Sequence, residues 1–123
     1  MLAGELIANG LGFQFRAQGR SMLPVIGDGE ILHIAPAELS KVRRGDIVLF
    51  KGEEGFKAHR VIRKAGNLFV TRGDSGTQAD AAIRGEQILG AVVAKECAET
   101  GRVISLQSLR FRINFLVAEL RKR

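Results

Sequence analysis

Ser21 stands in Gly19-Arg20-Ser21-Met22-Leu23-Pro24, between a glycine-arginine pair and a Met-Leu-Pro turn. Ser and Pro are frequent where strands end, so turn punctuation is one reading of it. The other is a nucleophile on a constrained loop. A neutral hydroxyl needs an adjacent base to take its proton as it attacks, and that base needs a group to orient it. The candidate bases are His59 and His33, with Lys57 as an outsider. In Lys57-Ala58-His59-Arg60-Val61-Ile62, strand alternation puts Lys57, His59 and Val61 on one face. His33 lies in the apolar run Ile31-Leu32-His33-Ile34, where a structural, hydrogen-bonded histidine is the better expectation. A polar stretch farther along offers two candidate carboxylates, Asp74 and Asp80.

Other chemistries find less support. Gly10-Leu11-Gly12 and Gly27-Asp28-Gly29 do not complete a dinucleotide fingerprint, and no phosphate-cradling G-x-x-x-x-G-K-[ST] occurs. Nothing marks out a pair of acids for glycoside chemistry. The single cysteine, Cys97, excludes an internal disulfide and any cysteine-rich metal site, and is expected as a small buried residue on a strand. Two histidines and one cysteine show no zinc spacing, so neither metal nor cofactor is expected. A net charge of +6 raises nucleic-acid binding as a possibility. With no Trp, no Tyr and seven Phe there are few stacking platforms, and no helix-turn-helix or zinc-finger pattern occurs, so no nucleic-acid partner is expected.

The elements that must position Ser21, the base and the acid read mainly as strands. Fifteen glycines against two prolines point to many tight turns and a β-rich fold. Residues 13–18 alternate apolar and polar with period two, as a half-buried strand does. Residues 30–35 read as a strand and residues 37–42 as a loop or one helical turn. Ile47-Val48-Leu49-Phe50 is a run of four apolar residues, as in a strand covered on both faces. A hairpin loop is expected over residues 51–55, then strands over 56–64 and 67–72 joined at Ala65-Gly66. Residues 73–85 form the longest irregular stretch, and loops of that length in small domains are more often functional or mobile than idle. Residues 87–95 resume a strand, and residues 102–106 add a short last one.

At 123 residues the chain suffices for one domain with one core. No repeat, low-complexity tract or linker divides it. The expected division is a β domain over residues 1–105, opened by a short helix over 2–9, and an amphipathic basic helix over 106–123. In that last segment Leu106, Leu109, Ile113, Leu116, Val117 and Leu120 form one apolar stripe about 100° wide. Phe111 and Phe115 fall on the opposite side, among Arg110, Arg112 and Lys122. A helix apolar on two sides with a basic end fits peripheral membrane association or a protein partner. The N-terminal MLAGELIANG has neither a basic n-region nor a long apolar h-region, and no run of eighteen apolar residues occurs. A cytoplasmic or membrane-peripheral location is therefore expected.

Taken together, these stretches resemble the S24/S26 serine peptidases, the superfamily of type I signal peptidases and self-cleaving SOS-response repressors. Gly19-Arg20-Ser21-Met22-Leu23-Pro24 is similar to the nucleophile box, and Arg44-Gly45-Asp46-Ile47-Val48 to the R-G-D-I-V strand box. His59-Arg60-Val61 is similar to the general-base box, Arg72-Gly73-Asp74 with Asp80 to the acidic box, and Ile88-Leu89-Gly90 to the closing element. The boxes occur in the family's order and cover roughly residues 13–92. A histidine followed by Arg-Val marks the branch of archaeal, endoplasmic-reticulum and spore-former signal peptidases, where other members carry lysine. The resemblance implies Ser21 as nucleophile, His59 as general base and Asp80 as the group orienting it, with Asp74 as the alternative acid. It implies the Ser21 backbone N–H as oxyanion donor. Many members offer a Ser or Thr hydroxyl two residues before the nucleophile as a second donor, where this chain has Gly19. The implied function is a serine endopeptidase acting on an extended peptide or protein substrate. The alternative is a non-catalytic domain of the same fold that binds such a peptide as an adaptor.

Overall fold

A computed structural model of the protein describes residues 12–106. Its strands, in chain order, are β1 (Phe13–Arg16), β2 (Ile31–Ala35), β3 (Ile47–Gly52), β4 (Gly55–Ala65), β5 (Leu68–Arg72), β6 (Ile83–Arg84), β7 (Ile88–Glu96) and β8 (Val103–Ser105). They form one antiparallel sheet in the order β1-β2-β7-β3-β4-β5-β6, with β8 pairing β7 where β3 has already left it. The mainly β expectation holds. The helix expected over residues 2–9 and that over 106–123 lie outside the described residues, apart from Leu106, which packs against the first of two cores.

β3 explains why the sheet has two cores. Its four consecutive apolar residues are all buried, and alternation sends them to opposite sides. Ile47 and Leu49 join Met22, Ile26, Leu32, Ile34 and Val92 in one cluster. Val48 and Phe50 join Val42, Val61, Phe69 and Ile83 in the other. A strand sandwiched in this way has no polar face, which is why its sequence shows no alternation.

The turns differ from expectation in detail. β3 and β4 pair as far as Gly52 and Gly55, so the expected five-residue loop is a two-residue turn at Glu53-Glu54. Gly55 follows that turn at φ 115°, a backbone conformation that a side chain would strain. β4 and β5 pair as far as Ala65 and Leu68, which moves that turn one residue on, to Gly66-Asn67. The irregular stretch ends in β6, two residues whose Ile83 faces Phe69 across the pair. Cys97, expected on a strand and buried, lies one residue past β7 and is only half-buried. The residues expected as one helical turn supply a 3-10 turn at Leu39–Lys41. Among the described residues no helix is long and apolar enough to cross a membrane.

Candidate active site

The connection from β1 to β2 carries Ser21 at its crest. Residues 22–26 wind into a tight turn in which the Val25 and Ile26 N–H groups both donate to the Met22 carbonyl. Met22 and Ile26 point down into the first core, and the Leu23–Pro24 peptide bond is cis. Burial of these two side chains leaves Ser21 exposed at the surface above them. The Ser21 N–H donates to no group among the described residues.

His59 comes from the middle of β4, opposite Val48, and is only 7% exposed. Its ring packs edge-on against Phe50 at a centroid distance of 6.3 Å. Its Nδ1 lies 2.6 Å from Asp80 Oδ2, and its Nε2 lies 3.0 Å from Ser21 Oγ. A carboxylate only accepts, so Nδ1 carries the proton and the Nε2 lone pair faces the serine hydroxyl. The three residues form one hydrogen-bonded chain, reaching 21 positions forward from His59 to Asp80 and 38 back to Ser21. His33 is not part of it. Its Nε2 sits 2.9 Å from Glu96 Oε2. Lys57 lies on the same face as His59, and its ammonium is 3.8 Å from Glu54.

Asp80 is held by more than the histidine. Thr71 Oγ1 donates to the same Oδ2 at 2.7 Å, and the Asp80 N–H donates to the Thr71 carbonyl at 2.8 Å. Burial by itself would raise the Asp80 carboxyl. The hydrogen bonds from His59 and Thr71, then the electrostatic pull of the imidazole and of the Lys57 charge, outweigh it and hold the group below the ordinary aspartate range. Asp80 is thus an anion beside the imidazole throughout the neutral range.

Asp74, the alternative acid, is engaged elsewhere. Arg60 grips it with two parallel bonds, Nε to Oδ1 at 2.8 Å and an Nη to Oδ2 at 2.7 Å. The other Nη of Arg60 donates to the Gly45 carbonyl at 2.9 Å. A forked guanidinium therefore ties the 73–80 loop to the turn before β3. The loop in turn holds the Ser21 turn: the Ser75 N–H donates to the Ser21 carbonyl and the Ser75 hydroxyl to the Arg20 carbonyl, both at 3.0 Å. The Asp74 N–H also points at Met22 Sδ, 3.4 Å away. Gly73 lies between the two segments. A Cβ there would stand 2.6 Å from the Ser21 carbonyl oxygen and 3.2 Å from His59 Nε2, so only glycine fits without displacing the site.

Thr71, Arg60, Gly73 and Ser75 have site roles that the sequence reading did not assign. Thr71 had a readable signal, a polar residue alternating with Phe69 on a strand that otherwise faces a core. Arg60 lay in the general-base box with no role assigned to it, and Ser75 had no signal, because its partners are distant in sequence.

A cleft of about 340 Å³ opens beside Ser21 and His59. Met22, Ile26 and Leu32 floor it, Phe15 and Ala17 stand on one side, and Phe56 and Ala58 on the other. Phe15 and Phe56 meet edge to face at 6.3 Å, although β1 and β4 are not neighbours in the sheet. The sheet therefore curls enough to bring these strands together across the cleft. Among the described residues no cluster of His, Cys, Asp or Glu has metal-binding geometry.

A comparison with curated proteins found no match to the chain. A family profile described as Peptidase S24-like matches residues 2–93, which take in Ser21, His59 and Asp80. The chain belongs to the Peptidase S24-like family, within the S24/S26 superfamily.

Proposed function

We propose that the protein is a serine endopeptidase working through Ser21, His59 and Asp80. The observation that carries this reading is the hydrogen-bonded chain from Asp80 through His59 to Ser21, set beside a cleft of mixed apolar and polar lining. A peptide in extended form lies in the cleft between β1 and β4, and its scissile carbonyl meets Ser21 Oγ. His59 Nε2 takes the hydroxyl proton as Oγ attacks, then delivers it to the leaving amine. Asp80 fixes the tautomer and stabilises the imidazolium formed in between. The free Ser21 N–H donates to the developing oxyanion, a contact worth roughly 3 kcal/mol when well aimed. Water then releases the acyl group by the same proton route.

The adaptor reading needs the cleft but gives no reason for an oriented imidazole against an exposed serine. Membership of a peptidase family and an anionic Asp80 both favour catalysis. A mixed-sequence peptide pool incubated with the protein, with new termini read by mass spectrometry, tests the reading. Cleavage is expected from the wild type and from Lys57→Met, and none from Ser21→Ala or His59→Ala. Cleavage that survives Ser21→Ala rejects the proposal, and loss confined to Lys57→Met makes the lysine the base.

A further inference from the structure

The nucleophile turn is held on its other side by an ion pair that the cleavage chemistry does not touch. β2 and β7 run in register until a bulge: His33 faces Ala94, Ile34 faces Val92, and Val93 is left without a partner. An extra residue in one strand reverses the faces beyond it. Lys95 therefore lies opposite Leu32 and shares its side of the sheet, the side of the first core and the nucleophile turn. There its ammonium is largely buried and donates to the Val25 carbonyl at 2.6 Å and to Glu30 Oε1 at 3.1 Å. The same Glu30 oxygen accepts the Gly27 N–H at 2.7 Å. Glu30 and Lys95 thus grip the returning limb of the turn at Val25, Gly27 and Glu30 itself.

Nothing in a hydrophobic core asks for this pair. A lysine beneath an apolar turn costs desolvation, and a buried pair seldom repays it in stability against apolar replacements. Burial acting alone would raise Glu30, but the Gly27 N–H and the Lys95 ammonium overcome it and hold the carboxyl below its ordinary range. Each remaining bond fixes one backbone atom of a loop whose other side is bonded to Ser75 and closely approached by Gly73. Between those two attachments sits Ser21, whose Oγ must stay within hydrogen-bond reach of His59.

We infer that Lys95 and Glu30 are positioning residues for Ser21: with the bulge at Val93 aiming the lysine, they set the height of the nucleophile turn against His59. This rests on Ser21 being the nucleophile, but its effect on the turn can be read without any reaction. Displacement of a reacting atom by about 1 Å costs on the order of 100-fold in rate, so a partial release of the turn costs roughly 10-fold.

The test uses Lys95→Met, Glu30→Gln and Lys95→Arg in the full chain, with Lys64→Met as a control. Lys64 is a second lysine with buried contacts, donating to the Leu39 and Val42 carbonyls away from Ser21. Two quantities are measured: amide exchange of residues 20–30 and the rate at which a fluorophosphonate labels Ser21, corrected for folded fraction. Lys95→Met and Glu30→Gln should each speed exchange in residues 20–30 about 10-fold with β3 and β4 unchanged, and slow labelling about 10-fold. Lys95→Arg should recover most of both, and Lys64→Met should change neither. Unchanged exchange in residues 20–30 overturns the inference, as does slowing that merely follows folded fraction or matches the Lys64→Met control. A wild type that fluorophosphonate does not label would count against Ser21 as nucleophile, and the exchange arm would still decide whether Lys95 holds the turn.

Discussion

At the scale of single residues, the two aspartates of the 73–80 loop divide their work by what they touch. Asp80 meets His59 and Thr71, while Asp74 meets Arg60. Asp80→Asn removes the negative charge and turns one accepting oxygen into a donor, so the tautomer is no longer fixed, and should lower kcat on the order of 10^4-fold with the fold retained. Asp74→Asn weakens a partly exposed fork and should cost about 1 kcal/mol of stability with a far smaller loss of rate. Paired steady-state kinetics and thermal melts of the two variants check this, and the reverse order of rates would exchange their roles. Thr71→Val removes one bond to Asp80 and should lie between them. Asp80 also carries a pH signature. Its folded value lies below its unfolded one, so the stability it contributes is complete above the ordinary aspartate range and is lost as pH falls through the folded value. Acid titration of unfolding should therefore be less steep in Asp80→Asn than in the wild type at the low end.

At the scale of elements, one strand and two loops converge, and each loop is tied to a rigid strand. β4 supplies His59, the end of β5 leads into Gly73, and the turn after β1 presents Ser21. Two of them come very close at Gly73, where a methyl group would overlap the Ser21 carbonyl. Gly73→Ala should push the turn outward, lowering kcat about 100-fold while costing roughly 1–3 kcal/mol of stability. Separate measurement of kcat and unfolding checks that the first loss exceeds what the second explains. Most strands were legible because their signal is local: alternation in residues 13–16, a four-residue apolar run in β3, and glycine turns between β4 and its neighbours. β6 was not, since two residues carry no period. Turn positions moved by one or two residues because cross-strand register, which no local window contains, decides where pairing stops. The three residues of the Ser21–His59–Asp80 chain were named from the family resemblance. Residue types and spacing alone left two acids and three bases open, because reach across 21 and 38 positions is a property of the fold.

At the scale of the whole molecule, β3 joins two cores that share no residue among those described. Leu49→Ala opens a cavity in one and should cost 2–5 kcal/mol, while Phe50→Ala in the other should cost about 3–5 kcal/mol. Both lie on adjacent positions of one strand, so unfolding should remain a single transition in each variant, and a split denaturation curve would show the cores to be independent. The two cores have different consequences for the site. The first supports Met22 and Ile26 beneath Ser21, while the second backs His59 through Phe50 and Val61. Losses in either core should therefore reach activity through different residues.

The central claim is that Ser21 is a nucleophile activated by His59. Mass spectrometry of the protein after treatment with a fluorophosphonate tests it most directly. The predicted result is one adduct per chain, mapped to Ser21, formed at undiminished rate in Lys57→Met and lost in His59→Ala. Labelling of Ser21 that persists unchanged without His59, or no labelling of Ser21 in the folded wild type, would contradict it.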